Sequence, residues 1–338
     1  MTTVRYSDGL PIESESFLIE KYDSFITSCH YISIHYPTYK HYYLSVYDNN
    51  ELTDILVFGN NKNTALCYNS LSCLNQEIIE IATQKIIELF PEIKKIKIDA
   101  SYKCYQLKKS FLIRKSDDYI LILPTTLNEY NAQLGSKTRK HIKARIEKLS
   151  KDFSSVKFSI KQKQAIERYE IDKIIEFNRD RMKSKGKISE LNDSCKEKTY
   201  KYAQQYGCVA YLELDGELIA GSICTQLNKS LFFHIIGHNN NYSKYNVGEA
   251  CAYLLIQYSI ENKLTDIHFL WGESELKKRF LAKPHELFSY FIYRSYSLNY
   301  LFEKIDYLIV SALTCFEKSK VAKPLKKAIF NYKKNRYK

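Results

Sequence analysis

The sequence contains few of the residues that interrupt regular structure, with 10 glycines and 6 prolines in 338 residues. Such a composition argues against a loop-rich or fibrous chain. The sequence also lacks a run of the roughly 20 apolar residues that a membrane span requires, since the longest late run, Tyr307–Phe316, is too short. The first residues carry no charged-then-apolar signal sequence. We therefore expect a cytoplasmic protein.

Two classes of motif are also missing. The nine cysteines are scattered and none forms a Cys-x-x-Cys pair, so we expect a reducing compartment and no metal site. Neither Gly-x-x-x-x-Gly-Lys nor Gly-x-Gly-x-x-Gly occurs, and these are the fingerprints of P-loop and dinucleotide-binding proteins. The sequence therefore gives no support to either of those nucleotide-binding classes.

The chain has ample material for a core, because 45% of its residues are hydrophobic and 14% are aromatic. Its length predicts two domains or a duplicated unit, and the pattern favours duplication. Each half contains three antiparallel strands joined by turns rich in Asn, Asp and Gly, then an amphipathic helix and a further strand. In the first half these are Tyr43–Tyr47, Leu52–Phe58, Thr64–Tyr68, Gln76–Phe90 and Lys95–Ala100. In the second half they are Val209–Leu214, Leu218–Gln226, Ser230–Gly237, Gly248–Asn262 and Asp266–Leu270.

We therefore predict an α/β (α+β) fold of two tandem halves, each a mixed, mostly antiparallel sheet flanked by helices. The predicted domains are residues 1–118, 119–300 and 301–338. Outside the repeat we predict helices at Glu13–Ser28, Thr126–Phe153, Ala165–Lys185, Ser194–Gln205 and Leu301–Lys318, and strands at Tyr119–Pro124 and Leu287–Arg294.

The net charge of +13 is concentrated in two segments. Residues Lys137–Lys151 contain seven Lys and Arg and one Glu, and Lys320–Lys338 contain eight and no acid. Such patches attract phosphates, anionic lipid headgroups or nucleic acid. The first segment is therefore a candidate site for an anionic acceptor or a tRNA, or simply a solvated helix face. The second segment is a candidate membrane or RNA contact, or a solubilising end.

One stretch, Tyr245–Phe280, combines several features that could carry chemistry. Gly248 stands at the start of an apolar helix, where free N–H groups and the helix dipole favour an anion such as a pyrophosphate. A loop glycine with positive φ is the alternative reading of Gly248. Further along, Trp271 ends a buried strand and Glu273 follows in a polar loop. Glu273 is a candidate general base or an ordinary acidic residue in the first turn of a helix.

Two more residues are ambiguous in the same way. His234 lies in a strand between Phe233 and Ile235, so it is a candidate base or a core histidine. Arg181 is a candidate substrate-binding residue or a solvated residue near a helix end, where the dipole favours a cation.

The residues from 115 to 285 resemble a known family. The resemblance rests on Ser136-Lys137-x-Arg139-Lys140-x-Ile142, Arg181, Lys185-Gly186, VAYLELDGELIAGSI, Gly237–Asn239, Asn246-Val247-Gly248 and Asp266-x-x-Phe269-Leu270-x-Gly272-x-x-x-x-Lys277. This series resembles GNAT-related acetyltransferases of the polysaccharide (cellulose)-biosynthesis type, relatives of the Fem-type peptidyltransferases. Family members often have Ser-Pro-Gly in place of Asn246-Val247-Gly248, and Tyr-Lys in place of Leu276-Lys277. The second difference removes an aromatic hydroxyl from this position.

The resemblance implies two GNAT-like halves and acetyl-CoA or another acyl-CoA as co-substrate. Its pyrophosphate would lie on Asn246, Val247, Gly248, Glu249 and Ala250, and its pantetheine near Ser230–Gly237. An amine or hydroxyl of a sugar or cell-envelope precursor would attack the thioester directly, and strand amides would polarise the carbonyl.

The candidate site residues fall into two groups. The catalytic candidates are Glu273, His234 and Lys277, and the candidate substrate-binding residues are Arg181, Arg139 and Trp271. The first half has no glycine at its helix start, residues 74–77, so we expect no CoA there.

Two other functions stay open. A Fem-type peptidyltransferase would take an aminoacyl group from tRNA, although such proteins commonly have a long coiled-coil insertion that is missing here. A non-catalytic protein on the same fold could instead contact a polyanion, or the inner face of a membrane as a peripheral protein, through the two basic segments.

Overall fold

The computed structural model describes residues 2–184, 186, 189, 191–296, 300–305 and 308–309. Within these residues, twelve strands form one continuous sheet in the order β1-β2-β3-β4-β5-β12-β6-β11-β10-β9-β8-β7. The strands are β1 (Thr2–Asp8), β2 (Lys40–Asp48), β3 (Glu51–Asn61), β4 (Thr64–Cys67), β5 (Lys95–Ser101), β6 (Ser110–Ile122), β7 (Lys157–Gln162), β8 (Gly207–Leu214), β9 (Glu217–Leu227), β10 (Ser230–His238), β11 (Asp266–Trp271) and β12 (Lys283–Tyr293).

Helices flank this sheet. They are α1 (Glu15–Tyr22), α2 (Cys29–His35), α3 (Gln76–Leu89), α4 (Leu127–Gln133), α5 (Ser136–Asp152), α6 (Arg168–Ser184), α7 (Asp193–Tyr206), α8 (Val247–Glu261) and α9 (Glu275–Arg279). Short 3₁₀ turns precede α1, α2, α6 and α8. None of the helices in the described residues is both long and apolar enough to cross a membrane.

The architecture is duplicated, which confirms the predicted fold class. The N-terminal half comprises β1–β5 with α1–α3, and the C-terminal half comprises β7–β11 with α6–α9. In each half the strands pair antiparallel except for the last two, since β4 is parallel to β5 and β10 is parallel to β11. The halves share one sheet, however, and do not form two separate ones.

The halves are joined by an exchange of strands. β6 follows the N-terminal half in the chain but pairs with β11 of the C-terminal half, whereas β12 pairs with β5 of the N-terminal half. β6 and β12 also pair with each other, antiparallel, from Lys283 opposite Ile120 to Ile292 opposite Ser110. The domain boundary predicted after residue 118 therefore lies inside a strand.

The parallel pairing of β10 and β11 is short, and this creates an opening in the sheet. It extends from Ser230 and Asp266 to Phe232 and His268. Beyond this point β10 has a bulge at His234, and the register between β11 and β6 shifts after His268. A bulge bends its strand and increases the local twist. The two strands therefore stop pairing where the C-terminal half faces the N-terminal half.

The structure differs from the sequence prediction at several places. The single helix predicted over Thr126–Phe153 is two helices, because Leu134 and Gly135 are extended between α4 and α5. The helix predicted over Glu13–Ser28 is α1 followed by a separate 3₁₀ turn. The edge strands β1 and β7 were not predicted. Residues 300–305 are helical, but most of the predicted helix Leu301–Lys318 and the whole basic tail lie outside the described residues.

Close packing of α6 on β10 depends on Gly237. A Cβ at this position would lie 2.2 Å from the carbonyl oxygen of Ile174 and 2.9 Å from the Cβ of Phe177. Both atoms belong to α6, and the carbonyl is backbone that cannot move away as a side chain could. The glycine therefore sets the distance between α6 and the strand that borders the opening.

We expect Gly237→Ala to lower the free energy of unfolding by about 1–3 kcal/mol, the usual cost of overpacking a core. Gly135→Ala is a matched control, because no atom lies within 4 Å of the added Cβ, and we expect a loss below about 1 kcal/mol for this helix N-cap. Urea denaturation measures both. Equal losses in the two variants would contradict the assigned role of Gly237.

Candidate functional site

The start of α8 is only partly accessible. Its N-cap, Asn246, has φ 50° and ψ 43° and makes no capping hydrogen bond with its side chain. Asn246 is exposed and Glu249 is half-buried, whereas Val247, Gly248 and Ala250 are buried. The five residues predicted to hold a pyrophosphate therefore lie together. Of their side chains, a ligand can reach only Asn246 and Glu249 without displacing other residues.

The structure gives Gly248 a packing role. A Cβ on this residue would lie 2.9 Å from Nδ1 of His238 at the end of β10. Real Cβ atoms essentially never come that close. A Cβ at this position would force the His238 side chain to move, so the glycine lets that side chain pack against the start of α8.

Cationic side chains converge on the accessible part of this helix start. Arg279 of α9 forms an ion pair with Glu249, with Nη1 2.8 Å from Oε1, and Arg145 of α5 donates to the carbonyl of Lys244. A narrow pocket of about 30 Å³ lies between the three elements. It is lined by His141, Ile142, Arg145, Asn246, Glu249, Ala250 and Arg279. The dipole of α8 and these cations together favour an anion here.

The equivalent helix start in the N-terminal half is closed. Asn75 caps α3 by accepting a hydrogen bond from the N–H of Glu77 at 2.9 Å. The hydroxyl of Tyr105 donates to the carbonyl of Leu74 at 3.1 Å and accepts from its N–H at 3.0 Å. The cap uses the N–H of Glu77, a first-turn donor that a phosphate would need, and the Tyr105 hydroxyl occupies the backbone of Leu74 just before the helix. The duplicated fold thus presents an uncapped helix start in its C-terminal half.

At the end of β11, Lys277 is fixed by the backbone. Its ammonium group donates to the carbonyls of Leu270, Trp271 and Gly272 at 2.9, 2.8 and 2.6 Å. Burial lowers the pKa of Lys277 to about 8, against a smaller raising effect of Asp118. The three carbonyls turn inward because Leu270 and Gly272 both have positive φ, 57° and 86°.

The other two candidates in this stretch are exposed. Glu273 forms an ion pair with Lys278, and this pairing lowers the pKa of the Glu273 carboxyl. The Glu273 carboxylate is therefore engaged by Lys278 at the exposed surface, and this ion pair would have to break before Glu273 could act as a base. The side chain of Trp271 is 38% exposed at the end of β11 and could contact a bound molecule.

His234 lies at the bulge of β10, beside the opening. Its Nε2 is 2.8 Å from Oγ1 of Thr225, and its ring meets Phe25 of the N-terminal half edge-on at 4.7 Å. Burial, with a smaller contribution from His35, lowers the pKa of His234 to about 4. The imidazole is therefore neutral near pH 7. If Nε2–H donates to Thr225, the Nδ1 lone pair can accept a proton.

Sequence reasoning missed a buried charged cluster on β11, the other strand that borders the opening. Nδ1 of His268 is 2.6 Å from Oδ2 of Asp118, and its Nε2 is 3.2 Å from Oδ1 of Asp266. Tyr102 donates to the same Asp118 oxygen at 2.7 Å. Burial alone would lower the pKa of His268, but the two carboxylates outweigh it and raise the pKa to about 9. Asp266 and His268 are neighbours on one face of β11, but Asp118 joins them only through the non-local pairing of β6 with β11, which no local pattern reveals.

The two arginines predicted to bind substrate have different surroundings. Arg181 on α6 is half-buried, and its Nε has no hydrogen-bond partner among the described residues. Burial lowers the pKa of its guanidinium. Arg139 on α5 is exposed and donates from Nη1 to the carbonyl of Asn131 at 2.8 Å.

The described residues contain no group of three or more His, Cys, Asp or Glu side chains suited to a metal ion.

Comparison with known proteins identifies the fold. Residues 136–278, from the start of α5 to α9, match the family model described as acetyltransferase (GNAT) domain. Over 86% of this chain, the structure is similar to the crystal structure of FemX, with a TM-score of 0.64, 10% identity and 97% of that chain covered. It is also similar to L-PGS from Bacillus licheniformis, with a TM-score of 0.55, 10% identity, and 91% of this chain and 98% of that chain covered. No curated protein matches this chain in sequence.

The charged cluster predicts a dependence of stability on pH. The pKa of His268 is about 9 in the folded protein and about 6.5 in an unfolded chain. Its stabilising contribution is therefore complete below about pH 6.5 and is lost as the pH rises through 9. At pH 6, His268→Asn leaves two carboxylates without their cation, and we expect a loss of about 3–5 kcal/mol.

Urea denaturation from pH 6 to pH 10 measures this difference. We expect the gap between wild type and variant to narrow by about 3 kcal/mol over that range. His285→Asn, at an exposed position, is the matched control and should show no such trend. A gap of constant size would mean that His268 is uncharged in the folded protein.

Proposed function

We propose that this protein transfers an acyl group from acyl-CoA to an amine or hydroxyl of a sugar or cell-envelope precursor. The proposal is supported by the match of residues 136–278 to the acetyltransferase (GNAT) domain model. The observation that carries the proposal is the convergence of Arg145, Arg279 and His141 on the uncapped start of α8. The N-terminal half has a helix at the equivalent place, but that helix is capped by its own chain. We therefore assign one donor site per chain.

The donor's phosphates would bind at the accessible edge of α8. Arg279 now pairs with Glu249, so a phosphate would compete with that carboxylate for the guanidinium. Arg145 could donate its remaining N–H groups, since the recorded bond to the Lys244 carbonyl comes from Nη1. Charge-assisted hydrogen bonds of this kind contribute about 1.5–3 kcal/mol each.

The acyl end would lie in the opening between β10 and β11. CoA supplies the acyl group as a thioester. Beyond Phe232 the edge of β10 that faces β11 is free of strand pairing, and its N–H groups are placed to polarise a carbonyl. Nδ1 of His234, at the bulge, would accept the proton that the attacking amine or hydroxyl releases. Lys277 would hold the end of β11 in position through its three carbonyl contacts.

The acceptor would enter from the side of α6 and the N-terminal half. Arg181 lies on α6 with a buried, unpaired Nε among the described residues, and could bind an anionic group of the acceptor. Trp271 is exposed at the end of β11 and could contact a larger precursor. Arg139 lies away from Trp271 in the chain, on α5, where it lines a separate cavity with Asn131 and Tyr253. Peripheral contact with an anionic membrane or RNA through the basic segments stays part of the proposal. A cytoplasmic location also belongs to it.

A second donor, an aminoacyl-tRNA, is favoured by two observations. The fold is similar to that of FemX, and α5 has an exposed row of lysines, Lys137, Lys140, Lys148 and Lys151, for which no ion pair exists among the described residues. Four cations along a helix of 17 residues suit a phosphate backbone. Binding through such contacts falls steeply with salt.

Calorimetric titration with acetyl-CoA tests the donor site. We expect Arg145→Gln and Arg279→Gln each to weaken binding by about 10- to 100-fold, the loss of one charge-assisted contact. Glu249→Gln should strengthen binding, because it frees Arg279. Lys140→Gln, on the exposed face of the same helix, is the matched control and should bind as wild type does.

Two results would contradict the acyl-CoA reading. One is the absence of heat with wild type, and the other is unchanged affinity in both arginine variants. If an aminoacylated tRNA binds instead, and Lys140→Gln together with Lys148→Gln reduces the salt dependence of its affinity, the second donor is the correct one.

Substitution of His234 tests the proton acceptor. With acetyl-CoA as donor and glucosamine as the acceptor probe, we expect His234→Gln to lower kcat by about 10²- to 10⁴-fold, the usual contribution of general base catalysis. The KM for acetyl-CoA should not change, because His234 lies away from the α8 start. Release of the CoA thiol measures the rate, and His285→Gln is the matched control. A kcat within threefold of wild type would remove His234 from the mechanism.

A further inference from the structure

A second cavity lies beside the start of α8, between α4, α5 and α8. Its volume is about 230 Å³. It is lined by Asn131, Arg139, Ile142, Lys143, Ile146, Glu147 and Tyr253. Clefts that bury a whole drug-sized molecule are larger, roughly 300–1,000 Å³. This cavity is therefore suited to one ring system that belongs to a larger ligand.

The chemistry of the walls is apolar on the floor and polar at one edge. Ile142, Ile146 and the ring of Tyr253 form the floor. Asn131 forms the polar edge, where its Oδ1 accepts a hydrogen bond from the Tyr253 hydroxyl at 2.8 Å. No described residue bonds to Nδ2 of Asn131, so this amide donor is available to a ligand. Arg139 is held at the same edge by its bond to the Asn131 carbonyl.

The cavity adjoins the pocket at the start of α8. Ile142 lines both spaces. Tyr253 of the cavity and Glu249 of the pocket are four residues apart on α8, and so lie on one face about 6 Å apart along the helix axis. A ligand with a phosphate and a ring joined by a short linker could occupy both spaces at once.

We propose that the cavity between α4, α5 and α8 binds the adenine ring of the donor's adenosine phosphate, while the pocket at the start of α8 binds its phosphates. This inference rests on the proposed function and adds the base-binding subsite. A cavity lined by an aromatic ring, two isoleucines and a side-chain amide suits a purine, which stacks on aromatic rings and hydrogen-bonds to amides. The surplus of cations around both spaces suits the phosphates.

Both candidate donors carry this chemistry. An acyl-CoA contains an adenosine bisphosphate, and an aminoacyl-tRNA ends in an adenosine that follows a phosphate. The proposed subsite would therefore bind the adenosine that both donors share, and the competition experiment below distinguishes the two donors. An alkyl chain would also fit the apolar floor, but it would make no use of the Asn131 amide.

The test uses adenosine 3′,5′-bisphosphate and inorganic diphosphate as probes in calorimetric titrations of the full chain. Asn131→Asp is the main variant, because it keeps the Oδ1 acceptor for Tyr253 and replaces the free amide donor with a carboxylate oxygen. We expect it to weaken binding of the adenosine bisphosphate by about tenfold or more, with a much smaller change for diphosphate. Asn128→Asp, an identical charge change at an exposed position of α4, is the matched control.

A second variant removes the ring from the floor. Tyr253→Leu should also weaken the binding of adenosine bisphosphate and leave the binding of diphosphate unchanged. Competition of the bound nucleotide by acetyl-CoA and by an aminoacylated RNA minihelix then distinguishes the two donors. Displacement of the nucleotide by either donor supports the subsite, provided that Asn131→Asp weakens the binding of that donor.

The outcomes separate this inference from the proposed function. If Asn131→Asp and Tyr253→Leu bind the adenosine bisphosphate as wild type does, while Arg279→Gln does not, the adenine lies elsewhere and the phosphate site stands. If wild type binds neither probe, both proposals fail. Equal weakening of adenosine bisphosphate and diphosphate by Asn131→Asp would show a charge effect alone and would also overturn the adenine subsite.

Discussion

The antiparallel pairing of β6 with β12 is the constraint on which the rest of the structure depends. Each of these strands completes the sheet of the half to which it does not belong by sequence, so neither half can be lifted away from the other. The exchange also brings Asp118 of β6 beside His268 of β11, where Asp118 accepts a hydrogen bond from Tyr102 of the N-terminal half. The opening between β10 and β11 is therefore bordered by residues of both halves, although one half alone carries the helix start proposed for the donor.

The two copies of the fold have diverged through a few side chains. In the N-terminal half, Asn75 and Tyr105 satisfy the start of α3 internally. In the C-terminal half, Asn246 leaves the start of α8 uncapped, and Arg145, Arg279 and His141 surround it. The order of strands and helix is alike in both, so the difference that we propose between the halves lies in how hydrogen-bond donors are satisfied. A helix start that is already satisfied by its own chain has little left to offer an anion.

The sequence predicted the interior of the fold better than its borders. Strands such as β3 and β9 were found because continuous apolar runs between turn residues mark buried strands. β1 and β7 were missed because both lie at the edges of the sheet, where mixed burial leaves no alternation to read. The break at Gly135 was also missed, since apolar spacing continues across it from Leu134 to Ile142.

The sequence predicted the local features of the candidate site but not the contacts that distant elements make there. Local patterns located the start of α8, the end of β11 and the bulge strand that holds His234. They could not show that Gly248 packs against His238, because the neighbour of a missing Cβ comes from another part of the chain. The cluster around His268 and the cavity beside Tyr253 depend on distant elements in the same way.

The position of β12 also bears on how the chain matures on the ribosome. β12 begins about 180 residues after the end of β5, yet it is the strand that covers the free edge of β5. At a synthesis rate of about 5–20 residues per second, that edge stays uncovered for roughly 10–40 s. An uncovered strand edge, with its unpaired N–H and C=O groups, is a template for pairing with another chain. Nascent chains of this protein are thus expected to need protection by a chaperone until residue 293 has left the exit tunnel.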